Sequence, residues 1–135
     1  MQISTFTDLL HAAHQQPQPQ RLLFVFAEAG LPSESTPEQQ QRYQSRQGGA
    51  LTPIMCVDKL PADIPSFNHL VEESLQLGKP WDIVFVASLS GHQGVAPTPQ
   101  DADKPLQQMV ESINGGLIKN FLPFDRQGEL VRFTS

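Results

Sequence analysis

Two unbroken apolar stretches, Leu22-Leu23-Phe24-Val25-Phe26-Ala27 and Ile83-Val84-Phe85-Val86-Ala87, restrict this chain more than anything else in it. Successive side chains on a strand point to opposite faces, so a strand with one face in water alternates apolar with polar. A run without alternation needs cover on both faces. The chain must therefore build a sheet with packed layers on each side, and its 135 residues suit one such domain. At that size folding hides about two-thirds of the extended surface, so the core needs no cross-links.

The cover comes from helices. Phe6, Leu9, Leu10 and Ala13 recur at helical spacing, with Thr5 and Asp8 placed as a capping box, which predicts a helix ending before Pro17. Ser66 caps a second helix, with Phe67, Leu70, Val71, Ser74 and Leu75 on one face and Gly78 at its end. Leu106, Met109, Val110, Ile113 and Leu117 form the narrowest stripe, closed by Gly115-Gly116. Pro105 is awkward inside a helix, so the regular part is expected to begin near it, with Asp101 or Asp103 in the capping region.

Ile54-Met55-Cys56-Val57 is a third short apolar run. Residues 118–133 read as a C-terminal β-hairpin in which Gly128 takes a positive-φ turn position. Between the first and third runs lies a polar, Gln/Pro-rich insertion at about 28–50, within a chain carrying 16 Gln and 12 Pro. Lacking an apolar stripe, its stretch from Ser33 to Gly49 is expected to be more mobile than the rest, with Arg42 and Arg46 the first sites of proteolysis. Strands alternating with helices favour parallel crossovers. The expected fold is α/β, or α+β: a single-domain, helix-covered mixed sheet with a partly parallel β-α-β-α-β order and a C-terminal hairpin. Its expected core includes Phe24, Phe26, Val57, Leu70, Phe85, Leu106, Val110 and Ile113.

With 14 acidic and 9 basic residues the net charge is −5, which disfavours nucleic acid or an anionic membrane as partner. The apolar runs fall far short of the ~18 residues of a membrane span. The one cysteine, Cys56, excludes a disulfide framework within the chain and fits a reducing cytosol. Met1 to Thr5 lack the basic and apolar segments of a secretory leader, so a cytoplasmic location is expected. No phosphate loop, zinc-protease helix or nucleophile elbow is present, and no cofactor is expected.

In open α/β sheets ligands gather beyond the carboxyl ends of the strands. Those places are Asp58-Lys59 and the loop Ser88-Leu89-Ser90-Gly91-His92-Gln93-Gly94. Hydroxyls, an imidazole that titrates near neutrality and backbone N–H groups between glycines suit a small polar or anionic ligand. The candidate ligand-binding residues are Asp58, Lys59, Ser90, Gly91 and His92, though ordinary surface turns share this composition. Catalytic and metal-binding residues are not assigned. A Cys56–His92 dyad would require neighbouring strands and has no orienting third group, and a thiol within an apolar run reads more simply as a small buried hydrophobe. His11 and His14, at i and i+3, have the spacing to share a metal, but no third ligand is specified. His69 lies off the apolar face of its helix.

The stretches Ala50-Leu51-Thr52-Pro53-Ile54-Met55-Cys56-Val57-Asp58, Gly78-Lys79-Pro80-Trp81-Asp82-Ile83-Val84-Phe85-Val86-Ala87 and Phe121-Leu122-Pro123-Phe124-Asp125-Arg126 resemble a family of small proteobacterial proteins often labelled "ribonucleotide reductase subunit alpha". The resemblance carries over no site residue. It implies at most an accessory role in ribonucleotide reduction. The catalytic subunit of that enzyme needs a radical-bearing cysteine and a redox cysteine pair, and one cysteine cannot fill three roles. The residues therefore favour a non-catalytic binding or protein-interaction module, acting through a homo-oligomer or a protein partner. The alternative is a small ligand-binding protein or enzyme using the Ser88 to Gly94 loop with Asp58 or Cys56.

Overall fold

A computed structural model describes residues 3–29, 51–77 and 80–131. In chain order these form α1 (Phe6–His14), β1 (Gln20–Ala29), β2 (Leu51–Lys59), a 3-10 turn (Pro61–Asp63), α2 (Phe67–Gln76), β3 (Ile83–Ser90), α3 (Pro99–Asn114) and β4 (Leu122–Phe124). Residues 30–50, which hold most of the expected insertion with Arg42 and Arg46, lie outside the described residues.

The strands make one sheet in the order β2-β1-β3-β4, and every neighbouring pair is antiparallel. The expected partly parallel sheet is thus overturned, for two physical reasons. β2 and β3 do run in the same direction, but β1 lies between them and pairs with both. After α3 the chain makes a further pass through residues 115–121 before β4, and that extra reversal turns β4 antiparallel to β3. The fold is a mixed α+β domain with an antiparallel sheet between two helical layers.

Alternate residues of β1 supply the two cores. Leu22, Phe24 and Phe26 share one face with Val84 and Val86, under α1 (Phe6, Leu9, Ala13) and α2 (Phe67, Leu70). Leu23, Val25 and Ala27 share the other with Ile83 and Phe85, under α3 (Ala102, Leu106, Met109, Ile113). The first core is aromatic: the Phe6 ring lies 5.0 Å from Phe67, 5.7 Å from Phe124 and 6.0 Å from Phe24. Trp81 meets Phe26 edge-on at 5.0 Å, and its indole N–H donates to Ser74 Oγ, whose hydroxyl donates in turn to the Val71 carbonyl. That chain explains a serine on the buried stripe of α2. Leu75 and Leu117, expected on apolar stripes, are 44% and 72% exposed. Leu117 lies beyond the end of α3. Val57 and Val110 are half-buried.

The helix starts follow side-chain chemistry. Thr5 and Asp8 form the reciprocal capping box of α1, and Ser66 caps α2 through the His69 N–H. α3 starts earlier than its proline suggests. Thr98 caps it, Asp101 completes a second capping box, and Pro99 occupies the first helical turn, where its missing N–H costs nothing. Pro105 sits inside a helix already nucleated upstream. At the C-terminal side Gly128 has φ 81 in the turn after β4, and its N–H donates to the Asp125 carbonyl.

Phe85 is fully buried between β1 and α3. Phe85→Ala is expected to cost about 3–5 kcal/mol in chemical denaturation. In the capping boxes, N–H donors from Ser4 and Thr5 hold Asp8 below the ordinary aspartate range, and the Thr98 N–H does the same for Asp101. A carboxylate depressed by folding contributes stability that is complete above its unfolded value, about 3.9, and is lost as pH falls through the lower folded value. NMR titration should therefore find both aspartates ionised after exposed carboxylates have protonated, and Asp8→Asn should flatten the acid limb of the stability profile.

Candidate functional site

Because β2 and β3 run the same way on either side of β1, their carboxyl ends reach the same edge of the sheet, with the start of β1 between them. All five candidate residues lie at that edge. The pleat then divides them. Asp58, level with Leu23, points to the α3 face, whereas Lys59, level with Leu22, points to the α1/α2 face.

The side chains of Asp58, Lys59 and Ser90 each have an internal partner. Arg21 Nη1 donates to Asp58 Oδ2 at 2.6 Å and its Nε–H donates to the Pro97 carbonyl at 2.7 Å, tying β1 to β2 and to the segment entering α3. Lys59 Nζ lies 2.7 Å from Glu73 Oε2, and His69 Nε2 lies 3.1 Å from Glu73 Oε1. The Lys59 ammonium, with His69 in a smaller part, holds Glu73 below the ordinary glutamate range. On the same face the buried Gln20 amide donates to Ser90 Oγ at 3.1 Å and accepts from Ser88 Oγ at 2.6 Å.

Gly91 and His92 are shaped by a tight turn. The Gly91 N–H donates to the Pro19 carbonyl, and a Cβ at Gly91 would stand 2.1 Å from the Val95 carbonyl oxygen, so only glycine fits. His92 and Val95 exchange both backbone hydrogen bonds around Gln93 (φ 52) and Gly94 (φ 78), a two-residue turn with both central residues at positive φ. The Gly94 N–H donates to Gln18 Oε1 at 2.8 Å. The His92 side chain stands in solvent.

Cys56 is exposed, not buried as its apolar neighbours suggest, because β2 is an outer strand. Cys56 and Phe85 are both level with Val25, and His92 comes seven residues after Phe85, roughly 20 Å along the strand direction. The two side chains do not form a dyad. His11 and His14 are exposed, and among the described residues no three His, Cys, Asp or Glu side chains gather to hold a metal ion.

The sheet's two outer edges differ. Beside β4, the Val131 N–H donates to the Pro123 carbonyl, Leu130 N–H to the Ser4 carbonyl and Phe6 N–H to the Gly128 carbonyl, so successive backbone segments cover that edge. The same pattern fixes the direction of every strand's backbone groups. A Pro123 carbonyl turned outward means that Leu122 and Phe124 bond to Val86 and Val84. Phe85 then faces Val25, and Cys56 and Asp58, level with Val25 and Leu23, turn their N–H and C=O groups away from β1. Pro53, level with Ala27, also faces outward and brings no N–H. Among the described residues nothing pairs with this side of β2. Next to it, a cleft of about 20 Å³ opens between α2 and β2, floored by Phe26, Val57 and Leu70, with the Lys59–Glu73 pair and the 66% exposed Leu77 at its rim. That is room for about one water.

Two features of this region escaped the sequence reading. Arg21 had a visible signal, a lone cation at the threshold of an apolar strand. The outer position of β2 had one in Pro53, since proline within a strand marks an edge. Comparison with protein-family models, with curated proteins and with solved structures finds no match. No helix among the described residues is long and apolar enough to cross a membrane.

The Arg21 and Asp58 side chains retain 12% and 23% of their exposure. Arg21→Met leaves Asp58 half-sheltered without its counter-charge and should cost about 2 kcal/mol, less than the roughly 3–5 of a fully buried pair. Arg21→Met/Asp58→Leu should recover most of that loss in the same denaturation assay.

Proposed function

We propose that this chain is a non-catalytic protein-interaction module whose contact surface is the outer edge of β2 with the adjoining flank of α2. The observation that carries the reading is a contrast between two parts of one sheet. At the strand ends Arg21, Asp58, Lys59, Glu73, Gln20, Ser88 and Ser90 are joined to one another or to backbone, so their hydrogen-bonding capacity supports the fold. Along β2 the backbone groups of Cys56 and Asp58 face outward, beside half-buried Met55 and Val57, with exposed Leu77 at the cleft between β2 and α2. Backbone pairing flanked by apolar side chains is how one sheet edge recognises another strand. A cleft the size of one water does not suit a metabolite, whose pockets run to several hundred Å³.

Native mass spectrometry of the freshly purified chain tests this reading. The expected spectrum contains polypeptide species alone. A stoichiometric small molecule that is retained by the native chain and lost in His92→Ala would overturn it in favour of a ligand site in the turn after β3.

A further inference from the structure

We infer that the strand received by β2 is β2 of a second copy of this chain, paired antiparallel about a two-fold axis at Val57. The inference rests on the interaction-module reading and names its partner.

The usable edge is short and symmetric. At one end Pro53 offers no outward N–H, and the ladder is broken by a bulge, since Phe26 is level with Met55 but Ala27 with Pro53, leaving Ile54 extra. At the other end the strand stops at Lys59, and Pro61 follows. Between these stops lie Met55 to Lys59, with Val57 at the centre and the outward-facing Cys56 and Asp58 on either side of it. A two-fold axis at Val57 sets Cys56 opposite Asp58 of the second copy and makes two such pairs. Each pair exchanges two N–H···O=C bonds, so the seam satisfies all outward groups of this stretch. An axis at Cys56 would set Asp58 against the bulged Ile54, and an axis at Asp58 would set the two Asp58 side chains opposite each other and Cys56 against Leu60, whose carbonyl already accepts from the Asp63 N–H.

Charge and side chains agree with self-pairing. Asp58 is neutralised by Arg21 and Lys59 by Glu73 within each copy. Two chains of net charge −5 can thus meet at this seam without opposing bare charges, while a strongly charged foreign strand would find no free counter-charge here. On the α2 face the axis brings Val57 against Val57, with Met55 beside the aliphatic stem of Lys59 and the cleft continuing across the seam. Pairing also closes after one step, because the β4 edge is covered by residues 128–131 and 4–6. The assembly is an isologous dimer with one sheet running through both copies. A five-residue seam belongs to the small, weak class of interfaces, so association is concentration-dependent.

Sedimentation equilibrium of the full chain, from low micromolar to near-millimolar, should show a monomer–dimer equilibrium. Cys56→Pro removes an outward N–H from each copy and leaves the bonds to β1 intact. With its thermal unfolding transition retained, it should raise the dimer dissociation constant about tenfold or more. In the native chain the two thiols would lie diagonally across the seam, roughly 7–8 Å apart by backbone spacing, so a short bis-maleimide should link them. Amide exchange should slow with concentration at Cys56 and Asp58 and stay constant at Val57. These two measurements hold the inference to account if Cys56→Pro does not fold. A chain that stays monomeric throughout, or a dimer whose Cys56 and Asp58 amides do not respond, overturns the second copy as partner. Either result differs from a retained small ligand, which would instead sink the interaction-module reading.

Discussion

Burial of β1 on both faces is the constraint from which the other layers follow. Residues 22–27 are each at most 2% exposed, and the six side chains divide evenly between two cores. At about 1.5–3 kcal/mol for each large apolar side chain taken from water, one bare face would forfeit much of the stability of a small domain. One helical layer cannot cover both faces. α1 and α2 close one with the cluster of Phe6, Phe24, Phe67 and Phe124, and α3 closes the other. The short β4 and the bridged segments around residues 5, 129 and 130 then cover the side of β3 away from β1.

This constraint was legible in the sequence, but its topological reading was not. The alternation of strands with helices favours parallel crossovers, the usual way a strand is covered on both sides. What the runs require is cover, and antiparallel strands between two helical layers have it equally. Local chemistry was more reliable than long-range order. The Thr5–Asp8 box and the Ser66 cap act within four residues of chain, so spacing alone specifies them. At α3 the same chemistry lay upstream, in Thr98 and Asp101, and it outweighs Pro105 because a helix already started loses only one bond at a proline that follows its first turns.

For the candidate site the legible part was the shared edge. Asp58, Lys59, Ser90, Gly91 and His92 do gather there because β2 and β3 point the same way, although β1 separates them. What sequence could not give was the phase of the pleat. One residue of difference sends Asp58 toward Arg21 and α3, and Lys59 toward Glu73 and α2. Arg21 shows why the polar residues there read more naturally as structure than as chemistry. Its guanidinium holds the end of β2 and the entry to α3 to the middle strand, at the place where the ladder gives way to turns.

The bulge at Ile54 links the core to the free edge. Without it, Leu51 would have the same phase as Met55 and Val57. With it, Ile54 and Met55 both pack on the α1/α2 core, and Leu51 shifts to the α3 core. Both helical layers therefore gain apolar cover from an outer strand only nine residues long. The same irregularity interrupts the outward backbone pattern, and Pro53 ends it. Exposed strands invite indiscriminate pairing, and prolines and bulges are the usual defences. Here those defences lie toward one end of β2 and leave a stretch centred on Val57. An edge guarded along part of its length admits a strand in one register and refuses the rest, which separates specific pairing from aggregation.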